Sequence, residues 1–172
     1  MGLLNSEEKD MAVERKLKIG VLGPHAVNRE QYECGLAVGA NIARVGALLL
    51  CGGCDGMMAA AAEGAKSAGG STMGILPGSD SLAANEFIDT VIPTGLGAFR
   101  NALLVRACDV VIAVYGAYGT LSEIAFALRL KVPVVGLNTW SVVRNERVDA
   151  GIHVVYTPEA AVELAATLAS RH

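Results

Sequence analysis

One repeated alternation constrains the fold most: a short, wholly apolar run closes on glycine or proline, and a longer segment with helical spacing follows. Residues 18–23 (KIGVLG) end at Gly23-Pro24, and Asn28 can cap a helix running to about Val45. Residues 47–51 (ALLLC) end in Gly52-Gly53, after which Asp55 is placed to cap a helix through Met57 and the alanines 59–62 to Ala68. The runs 71–76, 87–92, 109–115, 133–137 and 153–156 predict further strands. Helices are predicted from Gly97 to Asp109, over 120–130 and after the Thr157-Pro158 cap. In the second of these, Leu121, Ile124, Ala125 and Leu128 form one apolar stripe. Residues 138–150 read as a polar loop or short helix. Strands that are apolar throughout, alternating with amphipathic helices, predict a parallel sheet of about seven strands covered on both faces. The expected architecture is a single doubly wound, Rossmann-like α/β domain over 18–172, preceded by a polar arm, 1–17.

Composition narrows the function classes. With 14 Lys+Arg against 17 Asp+Glu the chain has a net charge of −3, which argues against a nucleic-acid partner held by phosphate neutralisation. Mean hydropathy is +0.43, yet every apolar run is broken well short of the ~18–20 residues that a membrane span needs. The opening segment is polar and lacks the apolar core of a signal peptide, so a cytoplasmic location is expected. Four cysteines (Cys34, Cys51, Cys54, Cys108) are too few for a disulfide scaffold. Cys51 and Cys54 form a C-x-x-C, but no matching ligand spacing accompanies them, and packing is the favoured reading over a redox or zinc role. The alanine-rich helix after Asp55 leaves room for close contact with another subunit, so a homo-oligomer, dimer or tetramer, is expected.

In a sheet of this kind ligands bind beyond the carboxyl ends of the strands, near the point where strand order reverses. Four loops therefore hold the candidate residues. In the loop after residue 115, Gly116 and Gly119 allow close backbone approach, and Thr120 and Ser122 offer hydroxyls and free N–H groups at a helix amino end, which suits a phosphate. Glu123 can accept from ribose hydroxyls or act on a bond beside the phosphate; equally, it can simply favour the helix dipole. In the loop 93–100, Gly95 and Gly97 precede Arg100, which would lie in the first turn of the next helix with its charge opposing the dipole. Phosphate binding would account for it, and so would a surface pairing with a carboxylate. Gly95 and Gly97 lack the third glycine and the downstream acid of a dinucleotide fingerprint, so NAD is not expected. His25, at the mouth of the first turn, can touch a ligand or stay solvated. Gly23, Gly52 and Gly53 would let the backbone approach a ring.

Together these loops resemble the lysine-decarboxylase-like superfamily of Rossmann-type proteins, which includes the cytokinin-activating phosphoribohydrolases and the molybdenum cofactor carrier proteins. The resemblance runs from Lys18 to about Leu137 and rests most on the signature P-G-G-x-G-T-x-x-E. Here it reads YGAYGTLSE over 115–123, with Tyr115 in place of the proline and Ala117 in place of a glycine. Gly52-Gly53-x-x-Gly56-Met57-Met58 is similar to the family's G-G-x-x-G-x-M turn. In the phosphoribohydrolases the helix before the signature strand begins with an Arg-Lys pair, and its Arg and the signature Glu are catalytic; the corresponding residues here are Arg100-Asn101 and Glu123. The segment from Thr94 through Asn101 to Arg106, with 119–125, is closer to the cofactor-carrier branch. The resemblance implies a homo-oligomeric carrier that holds a phosphorylated ligand, molybdenum cofactor or a related pterin or nucleotide, and needs no tightly bound cofactor of its own. Residues implied at the site are Gly23, His25, Gly52, Gly53, Gly56, Met57, Thr94, Gly95, Gly97, Arg100, Asn101, Gly116, Gly119, Thr120, Ser122 and Glu123. Two other readings stay open: a nucleoside monophosphate phosphoribohydrolase with Glu123 and Arg100 as catalytic residues, and a nucleotide sensor without turnover.

Overall fold

A computed structural model describes residues 15–170; most of the predicted arm, residues 1–14, lies outside the described residues. Strands β1 (Lys18–Leu22), β2 (Leu48–Cys51), β3 (Ser71–Leu76) and β4 (Thr90–Pro93) run outward in one direction from the centre of a parallel sheet. Strands β5 (Val110–Val114), β6 (Val134–Leu137) and a last strand, Ile152–Val155, run outward in the other, giving the order β4-β3-β2-β1-β5-β6 and then that edge strand. The order therefore reverses between β1 and β5, whose residues pair from Ile19↔Val110 to Leu22↔Ala113. Leu17 belongs to the sheet rather than to a free arm, since its carbonyl accepts from Leu48 N at 2.7 Å and its side chain packs on the core.

Helices cover both faces because successive strand residues point to opposite sides. On β5, Val110, Ile112 and Val114 join a core under α1 (Arg29–Arg44), α2 (Met57–Ser67) and the carboxyl-terminal helix Pro158–Ala169. Val111 and Ala113 join the opposite core under α3 (Arg100–Ala107) and α4 (Tyr118–Leu130). All five residues of β5 are buried, which is why this run carries so clean an apolar signal. Asn28 caps α1 in a full capping box with Gln31, as its position predicts.

Several boundaries differ from expectation for local reasons. Asp55 does not cap α2; the cap is Gly56, with φ +69 and no side-chain bond, pressed against the carbonyls of Pro24 and His25. Residues 87–89 lead into β4 without joining it, because the Asp89 carboxylate takes Thr72 N at 2.9 Å and Phe87 O accepts from Thr72 Oγ1 at 2.6 Å. The segment 138–150 holds a small antiparallel hairpin, β7 (Val143–Arg144) with β8 (Arg147–Val148), so the edge strand beyond it is β9 (Ile152–Val155) and the last helix is α5. The small residues of α2 are used within the chain: a Cβ on Gly64 would overlap Leu36 O of α1, and one on Gly39 would overlap Ala61 O of α2. That contact does not require a second subunit.

Candidate functional site

The switch point between β1 and β5 opens onto a cavity of about 220 Å³, lined by Gly23, His25, Gly52, Arg100, Thr120 and Glu123 among others. Arg100 opens α3, and its charge sits within the molecule, 6% exposed. Its Nη1 donates to Glu123 Oε1 at 3.1 Å and to Asn101 Oδ1 at 2.8 Å. Asn101 Nδ2 donates to Ser122 Oγ at 2.9 Å, and Ser122 Oγ donates to Gly119 O at 2.7 Å. One polar chain thus locks the amino end of α3 to the first turn of α4. Burial pushes the Glu123 carboxyl up to about 7, against the opposing charge and hydrogen bond of Arg100. The pair is therefore balanced between its charged and proton-bearing states at neutral pH.

Two buried polar atoms in this cavity make no hydrogen bond among the described residues: Arg100 Nε and Thr120 Oγ1. Thr120 is 2% exposed, so water does not satisfy its hydroxyl at the surface. The first turn of α4 adds the backbone N–H groups of residues 118–120, which lie ahead of the first helical bond, Leu121 N to Ala117 O at 3.0 Å. No side chain caps this helix. A guanidinium, a hydroxyl and the positive end of a 13-residue helix converge, a donor set suited to an oxyanion. Volume alone points elsewhere. A larger hollow of about 670 Å³ lies at the amino ends of the strands, between Arg15, Lys18, Arg106, Asp109 and Lys131. There the Asp109 carboxylate is already engaged by Arg15 at 2.5 Å and by Lys18 N at 2.9 Å, so the chemistry decides for the smaller cavity.

The glycines of the first two turns act by what they leave out. A Cβ on Gly52 would collide with Arg100 Nη2 and come within 2.7 Å of Met58 Sδ, so this glycine makes room for the guanidinium. A Cβ on Gly23 would lie 2.6 Å from Met57 Cβ. Met57 itself is fully buried in the core beneath Gly23, and Met58 lines the cavity. Gly53 (φ +74) lies behind the turn against Leu76. Thr94 is occupied in holding its own loop, donating to Leu76 O at 2.7 Å and accepting from Leu96 N. Gly97, Asn101 and Gly119 line the cavity, whereas Gly56, Gly95, Gly116 and Ser122 stand back from it. Gly116 lines a neighbouring depression with Tyr115 and Trp140. Sequence reasoning missed Val21, Leu22, Met58, Pro77 and Ala98 as cavity residues; Met58 was visible only as the second of two adjacent methionines whose helical phase the sequence leaves open. Cys51 is buried with its thiol pushed up to about 12, Cys54 is half-buried, and neither is in a disulfide.

Known proteins share the fold that carries this cavity. A protein of Archaeoglobus fulgidus without assigned function is 41% identical over 146 residues, covering 85% of this chain and 92% of that one. The molybdenum cofactor binding protein of Rippkaea orientalis superposes with a TM-score of 0.82 at 35% identity, over 90% of this chain and 98% of that one. The molybdenum cofactor carrier protein of Chlamydomonas reinhardtii gives 0.79 at 34% identity, over 91% and 99%. The model of the SLOG cluster4 family matches residues 16–162, which include every strand of the sheet and the whole polar chain from Arg100 to Glu123. The chain belongs to the SLOG cluster4 family, within the lysine-decarboxylase-like Rossmann superfamily and on the side of its molybdenum cofactor carriers.

Proposed function

We propose that this protein is a cytoplasmic, homo-oligomeric carrier that binds molybdenum cofactor as cargo through the cofactor's phosphate. The observation that carries the reading is the pair of buried polar atoms without a hydrogen-bond partner among the described residues, Thr120 Oγ1 and Arg100 Nε, on two residues that line one cavity at the amino end of α4. Leaving such atoms unsatisfied costs about 1–3 kcal/mol each, a cost that a bound phosphate removes. Similarity to proteins described as binding or carrying molybdenum cofactor supports the choice of cargo. Binding proceeds as an exchange. The phosphate takes hydrogen bonds from Arg100, Thr120 and the α4 backbone, and Glu123 gives up its share of the guanidinium by taking a proton, which a carboxyl near 7 does readily. Loss of that proton restores the Arg100–Glu123 pair and favours release, so the site holds and lets go without bond chemistry.

A second reading has one observation in its favour. A carboxyl near 7 beside a buried Arg is also equipped for general acid–base work on an N-glycosidic bond. One preparation tests both. The protein is mixed with cofactor released from a molybdoenzyme and passed through a desalting column; the carrier reading expects molybdenum and pterin to co-elute with the protein. Their absence would contradict it. In parallel, AMP and related monophosphates are incubated with the protein, and free base lost in Glu123→Gln would establish the hydrolase instead.

A further inference from the structure

The cavity is too small for the whole ligand. At about 220 Å³ it falls below the ~300–1,000 Å³ typical of pockets that enclose a drug-sized molecule, so a flat ring joined to the phosphate must lie outside it. Two exposed aromatic side chains adjoin its lining residues along the chain: Phe99, 85% exposed and between Ala98 and Arg100, and Tyr118, 82% exposed and next to Gly119. Only Tyr118 is held in place. Its ring centroid lies 5.8 Å from that of Trp140, at 32° between planes. Trp140 is anchored in turn, with Nε1 donating to Ala117 O at 3.3 Å. The neighbouring Thr139 Oγ1 donates to Tyr115 O, and Asn138 Nδ2 donates to the Tyr115 hydroxyl at 3.4 Å.

Three side-chain bonds therefore fasten the segment after β6 to the turn before α4. The backbone is shaped for this contact: Tyr115 and Asn138, just past the ends of adjacent strands, both adopt positive φ, +52 and +53. Tyr118 lies in the chain between Gly116, which lines the depression with Tyr115 and Trp140, and Gly119 and Thr120, which line the phosphate cavity. Resting on the phosphate-binding reading above, we propose that Tyr118, backed by Trp140, is the stacking platform for the ligand's planar heteroaromatic ring. The site would then select phosphate monoesters that carry a purine- or pterin-like ring over those that carry a sugar alone. Stacking tolerates different rings because each presents a π-face.

Calorimetric titration of wild type, Tyr118→Ala and Tyr118→Phe with ribose 5-phosphate, AMP and a pterin monophosphate tests the platform. Wild type should bind at least one ring-bearing ester more tightly than ribose 5-phosphate. Tyr118→Ala should lose that advantage, by roughly 5- to 100-fold, while its affinity for ribose 5-phosphate is unchanged. Tyr118→Phe should behave as wild type, since the π-face and not the hydroxyl is used. AMP should also quench the fluorescence of Trp140, the sole tryptophan. If ribose 5-phosphate binds as tightly as both ring-bearing esters and Tyr118→Ala changes none of them, the platform is refuted and the phosphate site stands. If no phosphate ester binds wild type, the site itself fails and the platform with it. If Tyr118→Ala alters sedimentation and weakens all three ligands equally, Tyr118 is a contact between copies, and the proposal is overturned.

Discussion

The two faces of the sheet are covered by helix pairs built on opposite plans. Between α1 and α2 the contact is close and dry: Gly39 and Gly64 let backbone meet backbone, and a Cβ on Gly35 would lie 2.7 Å from Ala60 Cβ. Tyr32 donates to Glu63 at 2.5 Å, binding the same two helices together with a half-buried hydrogen bond. Between α3 and α4, the amino ends are joined by Arg100, Asn101, Ser122 and Glu123, and two buried polar atoms are left without partners. Close backbone-to-backbone packing of this kind stabilises the chain. A buried and incompletely satisfied polar network opposes stability unless something binds there. On the proposed reading, the α3–α4 end is the working part of the molecule and α1–α2 its scaffold.

Substitutions on the two sides should separate cleanly. The largest effect is expected in the scaffold. Gly39→Ala and Gly64→Ala press a methyl group into a carbonyl of the facing helix, and should cost about 3 kcal/mol in urea unfolding, the upper end of the overpacking range. Affinity per folded molecule should be unaffected. Next comes Arg100→Leu, which should weaken phosphate-ester binding by about 1.5–3 kcal/mol, the range of a charge-assisted hydrogen bond. It strands Glu123, so its stability loss should be greater at pH 8, where the carboxylate is charged and alone, than at pH 6, where the carboxyl keeps its proton.

The pH dependence of stability tests the carboxyl directly. Glu123 titrates near 7 when folded against an ordinary value near 4.5, so the folded state holds the proton more tightly. Its contribution to stability is present in full below about 4.5 and is lost as pH rises towards 7. Relative to Glu123→Gln, wild type should lose up to ~1.4 kcal/mol per pH unit across that window in denaturant titrations. Parallel curves for the two proteins would mean that burial does not raise this carboxyl.

The parallel sheet of about seven strands was legible because buried parallel strands leave little choice of residue; 110–114 is apolar at every position and buried at every position. Arg100 and Glu123 were legible as chemistry, since one opposes a helix dipole and the other follows a glycine-rich turn. Their pairing was not, because 23 residues separate them and only the packing of α3 on α4 brings them together. Ser122 looked free to bind, yet its hydroxyl folds back on Gly119 O within its own helix, a local bond that competes with any ligand. The hairpin at 143–148 escaped notice since two-residue strands carry no periodicity. Its turn uses Asn145 and Glu146 at positive φ, +52 and +63, where glycine at the second position would have been the signal. The aromatic pair at Tyr118 was hidden for a similar reason, as Trp140 reaches it from a segment that reads only as polar loop.

Thr120→Val gives the most direct test of the central claim, that the unmet polar groups at the α4 amino end exist for a phosphate. The substitution keeps the side chain's shape and removes the unpartnered Oγ1. Chemical denaturation without ligand and calorimetric titration with ribose 5-phosphate would be run on the same samples. The account predicts a variant more stable than wild type by about 1 kcal/mol that binds the phosphate ester several-fold more weakly. A variant that is less stable and binds unchanged would mean that the hydroxyl serves the fold, and would contradict the assignment of this cavity as the binding site.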